Sequence, residues 1–399
     1  MTVPLESEAL LAAASKRRDG LTDFGDKSFL PALEALLASI NKEGKLSGLG
    51  KSLFSERLVE SLASRLTLEQ YVSRYPEILQ ESIEQPVFIV GLPRTGTTML
   101  HRVLAQDPRF YTPKWWEVRF PAPFDDTGAE AGEDPRIPAA RAEVKMMVEA
   151  MPDLLTMHPL DAELADEEVV LMEHSFLSAM YAYANVPGYT AWLGEQDQTP
   201  AYTYLKRQLQ FLQWQKRRRG EVAQRWILKA PHHTHAMDVL FKVFPDAKII
   251  QTHRDPLETI PSMSSFAYTI WCVYSDDANP AEAAALWSAK FSRGLKDAIR
   301  VRDELSDSLF LDVWYLDAVA RPMEVIERIY PFLGVELDDE ARGRMQKWIG
   351  LSSRDKRAPH DYSLEKMALT KSKLESDFAS YRERYILPRL SAAKKAEAV

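Results

Sequence analysis

The stretch VFIVGLPRTGTTML, residues 87–100, constrains this chain more than any other part of it. Val87–Val90 is a short apolar run between Pro86 and Gly91, which suits a strand buried on both faces of a parallel sheet. Gly91 and Gly96 frame a loop, and Met99, Leu100, Val103 and Leu104 share one face of a helix opening at Thr97. A strand, a glycine loop and a helix start in succession make an anion site. Backbone N–H groups of the first turn point outward, the helix dipole favours negative charge, and glycine lets the backbone approach closely. The Thr97 and Thr98 hydroxyls add donors, and Arg94 adds a fixed charge in a bidentate fork. Against the pattern G-x-x-x-x-G-K-[ST], Gly91, Gly96 and Thr98 fit, but Thr97 stands where the lysine belongs. Nucleoside triphosphatases of this build use that lysine with magnesium, held partly by a strand-end aspartate. Here the corresponding apolar run, Ile249–Ile250, leads to the basic Thr252-His253-Arg254. The loop reads as a seat for a nucleotide handled without metal.

Further apolar runs, Trp226–Leu228, Lys248–Gln251 and Leu309–Trp314, alternate with helical stretches such as 234–243 and 281–304. That alternation predicts an α/β fold, a P-loop-type parallel sheet flanked by helices. Ahead of it, residues 1–84 read as a helical segment. Leu30, Leu33, Leu36, Leu37 and Ile40 recur at helical spacing, as do Leu58, Leu62, Leu66 and Leu68, with a turn at Gly44–Gly50 between them. The α/β domain is expected over 85–399. Residues 117–138, rich in proline and glycine, read as a surface loop, and about 140–220 as a helical cap insertion. The cap carries Phe176, Tyr181, Tyr183, Tyr189, Trp192, Tyr202 and Tyr204, which fit a lid over an aromatic-lined pocket as well as an ordinary core. The run Lys216–Arg219 reads as a solvated helix end.

With 46% apolar and 27% charged residues, the chain can bury a sizeable core. Its net charge of −8 argues against nucleic acid as partner, while leaving room for a local basic pocket. Cys272 is the only cysteine, which excludes an intramolecular disulfide and a thiolate metal cluster, and it reads as a buried apolar side chain. No apolar run is long enough to cross a membrane, and the first residues lack a basic start leading into one, so a cytoplasmic protein is expected. His232, His233 and His235 are too closely spaced to share a helix face as H-E-x-x-H does, and no metal is expected there.

Two more basic strand ends accompany the loop. Lys229 closes the run in ILKAPHH, and Arg254 follows KIIQTH with Ser262 eight residues on, a pair able to grip a phosphate. In a parallel sheet such ends converge on the carboxyl edge, where these folds bind ligands.

At this point the chain resembles the superfamily of sulfotransferases that use 3′-phosphoadenosine 5′-phosphosulfate (PAPS), and most of all its bacterial branch similar to tyrosylprotein sulfotransferases. PRTGTT at 93–98 matches the family's P-R-[ST]-G-T-T loop, and Arg254 with Ser262 keeps the family's Arg/Ser spacing. Lys229 matches the family lysine one βα unit earlier, and VWYLDAVARPMEVIERIYPFLGV resembles its C-terminal strand, tyrosine, helix and F-L-G run. The resemblance covers roughly 86–370, ending in HDYSLEKMALT at 360–370, similar to a loop that closes over the cofactor. It implies that Arg94, Thr95, Gly96, Thr97 and Thr98 hold the 5′-phosphosulfate, that Arg254 and Ser262 hold the 3′-phosphate, and that Tyr315 lies near the nucleotide. Lys229 and Arg94 would then stabilise charge growing on the leaving oxygen. Two residues after Lys229 the small-molecule branch has a catalytic histidine, whereas this chain has Pro231. The base is therefore sought at Glu117 in WWEVRFP, which resembles the catalytic glutamate of tyrosylprotein sulfotransferases, or at His233, on the loop that carries the histidine in the small-molecule branch. Glu117 is favoured, with His233 then beside the acceptor. The product would be 3′-phosphoadenosine 5′-phosphate (PAP), and the acceptor a phenol, steroid or lipid alcohol. A P-loop nucleotide kinase is opposed by the missing lysine, and an inactive PAP-binding module by Lys229 and the two candidate bases.

Overall fold

The computed structural model describes residues 2–124, 132–352 and 364–397. Residues 125–131 of the proline- and glycine-rich stretch, and the first four of the 360–370 loop, lie outside them. The chain divides into two compact units. A helical unit holds Met1–Ile83, Pro113–Val222 and Ala267–Ala278, and a sheet unit holds Glu84–Thr112, Ala223–Phe266 and Asn279–Val399. The segment read as a cap thus groups with the N-terminal helices.

The sheet unit is built on five parallel strands: β1 (Val87–Gly91), β2 (Phe110–Tyr111), β3 (Arg225–Lys229), β4 (Lys248–His253) and β5 (Phe310–Trp314). Their order across the sheet is β2-β3-β1-β4-β5. The α/β expectation holds, with one addition: the two-residue β2 is too short to leave an apolar pattern in the sequence. All five residues of β1 are buried, as a strand in the middle of a parallel sheet requires. Helix Thr97–Leu104 lays Leu100, Val103 and Leu104 into a core shared with Ile89, Ile227 and Ile250. Full burial of each such side chain stabilises the fold by about 1.5–3 kcal/mol.

In the helical unit, helices Ser7–Arg17, Phe29–Glu43 and Gly48–Arg74 precede the sheet, and Thr199–Arg218 follows. Leu33, Leu36, Leu37 and Ile40 are buried, as are Leu58, Leu62, Leu66 and Leu68. The expected turn at 44–50 is shorter than read. Ser47 caps the next helix by accepting the Gly50 N–H at 3.0 Å, so Gly48 and Gly50 already belong to it. Gly50 is glycine because a Cβ there would meet the Tyr274 carbonyl oxygen at 1.9 Å.

Three readings are corrected. The stretch 117–138 does not begin as a surface loop: helix Trp115–Arg119 buries Trp115, Trp116, Glu117 and Val118. The run Lys216–Arg219 is a solvated helix end only in part: Arg217 and Arg218 are exposed, but Lys216 is buried and both Lys216 and Arg219 bind Glu117. Cys272 is exposed. It lies on helix Pro256–Tyr274 next to the buried Trp271, and consecutive helical residues face different ways.

Candidate active site

Four adjacent strands deliver the candidate residues to one edge. β3, β1, β4 and β5 are neighbours and parallel, so their carboxyl ends lie on the same side of the sheet. β1 ends at Gly91 and β3 at Lys229, while Arg254 and Tyr315 directly follow β4 and β5. The register sets Ile89 opposite Lys229, Gly91 opposite Thr252 and His253 opposite Trp314. The connection from β1 runs to one side, toward β2, and that from the adjacent β4 to the other, toward β5, which makes the β1/β4 border the switch point at which open α/β sheets bind ligands.

The loop after β1 is fixed by two close approaches. At Gly91 a Cβ would meet Thr252 Oγ1 at 2.3 Å. Thr95 is fully buried, donates its hydroxyl to Leu92 O at 2.6 Å and lies 2.7 Å from Thr252 Oγ1. The Thr95 hydroxyl therefore holds the loop's shape. Thr252 is a positioning residue that sequence reading passed over, and its only signal is a small hydroxyl residue facing a glycine loop. Arg94 and Gly96 both take the left-handed conformation, at φ 68° and 85°. For arginine this costs roughly 1 kcal/mol, and its carbonyl is braced by Arg254 Nη1 at 2.9 Å. Gly96 stands at the N-terminus of helix Thr97–Leu104, which no side chain caps, and a Cβ on it would come within 3.3 Å of the Tyr315 ring. An uncapped helix start beside two glycines, with Arg94 in the turn, has the chemistry to cradle a phosphate.

Lys229 is fully buried, and its Nζ donates to Thr98 Oγ1 at 3.2 Å, tying the end of β3 to the loop of β1. The Arg254 guanidinium lies 4.1 Å from the centre of the Tyr315 ring and binds Glu258 Oε2 at 2.8 Å. Glu258 is 56% exposed, and an exposed pair of this kind is worth little, so an incoming phosphate can displace it. Ser262 is buried two turns into helix Pro256–Tyr274. Arg94, Gly96, Thr97, Thr98, Lys229, Arg254 and Tyr315 are thus brought to one edge. His233 sits in the turn Pro231–His235 after β3, fully buried, its ring edge-on to Phe88 of β1 at 4.9 Å.

Glu117 belongs to the helical unit, where it is 1% exposed. Its Oε1 receives Lys216 Nζ at 2.7 Å and Arg219 Nη2 at 2.9 Å, and its Oε2 receives the Lys114 N–H at 3.0 Å. His101 is buried against Ile227 O at 3.1 Å, and His174 is buried with Gln208 donating to its Nδ1 at 2.9 Å. Among the described residues no group of three or more His, Cys, Asp or Glu is arranged to hold a metal ion. Nor does any described helix have the length and apolarity to cross a membrane.

A glycine loop and uncapped helix start beside cation-bearing strand ends, at a parallel sheet's carboxyl edge, define an α/β protein of the P-loop type. The sulfotransferase family profile matches residues 86–339, well over half of the chain, and the chain belongs to that family. It is similar to the omega-hydroxy-beta-dihydromenaquinone-9 sulfotransferase of Mycobacterium bovis, 29% identical over 262 residues. The match takes in 63% of this chain and 63% of that relative's length, less than two thirds of either. Two crystal structures resemble it over nearly their whole length. Sulfotransferase STF1 of Mycobacterium tuberculosis is 32% identical, with a TM-score of 0.81 over 95% of this chain and 99% of its own. Sulfotransferase STF9 of Mycobacterium avium is 26% identical, with a TM-score of 0.84 over 96% and 97%.

Proposed function

We propose that the protein transfers the sulfuryl group of PAPS to a hydroxyl of a hydrophobic small molecule. The observation that carries this reading is the meeting of Arg94, Lys229 and Arg254 at one carboxyl edge, with Lys229 tied to the loop through Thr98. Three fixed cations around an uncapped helix start fit a ligand bearing several phosphate-type groups.

When bound, PAPS supplies an activated sulfuryl group and leaves as PAP. The loop N–H groups, the Thr97 and Thr98 hydroxyls and Arg94 hold the 5′ side. Arg254 and Ser262 grip the 3′-phosphate, beside the Tyr315 ring. Lys229 stabilises negative charge that grows on the leaving oxygen, so it favours the transition state over the ground state. Glu117 removes the acceptor's proton, with His233 beside the acceptor. Three donors keep the Glu117 carboxylate in one orientation, which a base needs.

A hydrophobic alcohol as acceptor is supported by the name of the mycobacterial relative, which acts on a hydroxylated menaquinone derivative. The aromatics of segment 150–219 add little to this. Phe176, Tyr181, Tyr189 and Tyr202 are fully buried or nearly so, as core side chains are.

The test is transfer of labelled sulfate from PAPS to a panel of phenols and long-chain alcohols, with binding followed by thermal shift. PAP should raise the melting temperature without metal, and adenosine 5′-phosphosulfate, lacking the 3′-phosphate, should do so much less. Equal shifts from ATP with magnesium would sink the proposal.

A further inference from the structure

The family match ends at residue 339, yet the two neighbours of Arg254, His253 and Asp255, are held by residues more than forty positions beyond it. Segment Ala379–Ile386, whose last five residues form a π-helical turn, lies in the same unit as β4 and β5. Turns of this kind are rare and concentrate at functional sites.

The hydrogen bonds here have a fixed direction. Burial alone would raise the Asp312 pKa, but hydrogen bonds from His253 and Arg302 outweigh it and hold the carboxyl far below its usual range. An ionised Asp312 only accepts, so His253 Nε2, 2.8 Å away, must carry the proton. Burial lowers the His253 pKa and keeps the ring neutral, which leaves Nδ1 a bare acceptor. The Tyr381 hydroxyl, 2.9 Å from Nδ1, therefore donates to it. On the other side of Arg254, Arg382 forks onto Asp255 with Nε to Oδ1 at 3.0 Å and Nη2 to Oδ2 at 3.1 Å. The same Asp255 Oδ1 accepts the Leu257 N–H at the start of the helix that carries Ser262. Tyr385 stacks on His253 at 4.3 Å, and its carbonyl accepts Trp314 Nε1 at 3.1 Å.

We propose that Tyr381 and Arg382 are positioning residues for the nucleotide: they hold the side chains of His253 and Asp255, the two neighbours of Arg254, and so aim its guanidinium at the 3′-phosphate. The proposal rests on the reading of Arg254 as the 3′-phosphate grip. A clamp of this kind acts on one phosphate only, and that separates it from a general contribution to folding.

The readout is the ratio of dissociation constants for adenosine 5′-monophosphate and PAP, which differ by the 3′-phosphate, measured by calorimetry on the full chain. Wild-type protein should prefer PAP, and Arg254→Ala should abolish the preference. Tyr381→Phe keeps the ring and removes the hydroxyl. It should narrow the ratio about five- to tenfold, the scale of one lost hydrogen bond, while monophosphate binding stays near wild type. Arg382→Ala should narrow the ratio as much, and Arg382→Lys should restore part of it, since lysine keeps the charge but not the fork. If the wild type does not prefer PAP, the reading of Arg254 falls and this inference falls with it. If Arg254→Ala abolishes a preference that Tyr381→Phe and Arg382→Ala both leave intact, the inference alone is overturned. Each variant decides for its own residue.

Discussion

The buried arginines of the helical unit and the arginine at the sheet unit's carboxyl edge are partnered differently. In the helical unit, Arg57 forks onto Glu173 at 2.7 and 2.9 Å, with both side chains nearly out of solvent. Arg65, also buried, spends its donors on the carbonyls of Phe24, Asp26 and His174, between the rings of Phe29 and Tyr204. At the edge of the sheet unit, Arg254 braces one carbonyl, lies on one ring and shares its remaining charge with an exposed glutamate. A cation closed on a buried partner holds a fold together, and removing either member leaves an uncompensated charge. A cation held in place by neutral atoms and an exchangeable pair is ready for an anion that arrives later. Glu117 tests this distinction, because its contacts are those of the first kind while its proposed role is catalytic.

The largest effect is therefore expected at Glu117. Glu117→Gln keeps the shape and removes the charge, and loss of a general base costs about 10²–10⁴ in rate. Turnover with an aliphatic alcohol should fall on that scale. Stability should fall as well, by roughly 1–3 kcal/mol, because Lys216 and Arg219 lose one shared charge and keep only Glu221. Urea unfolding and kcat together read both losses. Should stability drop while kcat holds, Glu117 belongs with Arg57 and Arg65, and His233→Asn must then carry the rate loss.

Next comes Lys229→Ala. Removal of one donor to charge that develops in the transition state costs about 10²–10³ in kcat. KM for PAPS should change far less, since that charge is small before reaction. A variant that loses only affinity would move Lys229 from the chemistry to the grip. Arg254→Ala should show the opposite pattern, with KM for PAPS raised about 10- to 100-fold, the worth of a charge-assisted hydrogen bond, and kcat little altered. A fall confined to kcat would overturn that assignment.

What the sequence disclosed follows the same line between the units. The strand, loop and helix of 87–104 are contiguous, so one apolar run, two glycines and one helical face encode them together. Lys229 and Arg254 were legible as strand-end positions because a parallel sheet turns strand order into a shared edge without further information, whereas Tyr315 came from the family resemblance alone. Closed charges leave no such trace. Lys216 and Arg219 meet Glu117 about a hundred residues away, so as a run they looked like an ordinary wet helix end. Thr252 was hidden for a related reason: its hydroxyl matters only because Gly91 lies across from it in the neighbouring strand. The clamp on Arg254 lies more than a hundred residues from the motif it serves, in helical sequence without a signature of its own.

The smallest expected effect concerns pH, and it sharpens the contrast because it depends on burial alone. Burial, with the nearby Arg65, Arg119 and Arg57, pushes the His174 pKa down to about 3, and the ring stays neutral to accept from Gln208. In the sheet unit burial likewise lowers His232 to about 3, assisted by His233 and Lys290. Unfolded histidine takes up a proton near pH 6.5. Between about 6.5 and 3 the unfolded chain thus binds protons that the folded chain refuses, and stability falls as pH drops through that window. Each such histidine contributes a slope approaching ~1.4 kcal/mol per pH unit below about pH 6. His174→Asn keeps an oxygen acceptor and removes the titration, so its urea midpoint should fall less steeply than wild type between pH 6 and 5, even if it starts lower at pH 7. An unchanged slope would mean that His174 takes its proton inside the fold, and that the buried arginines around it are less closed than their contacts indicate.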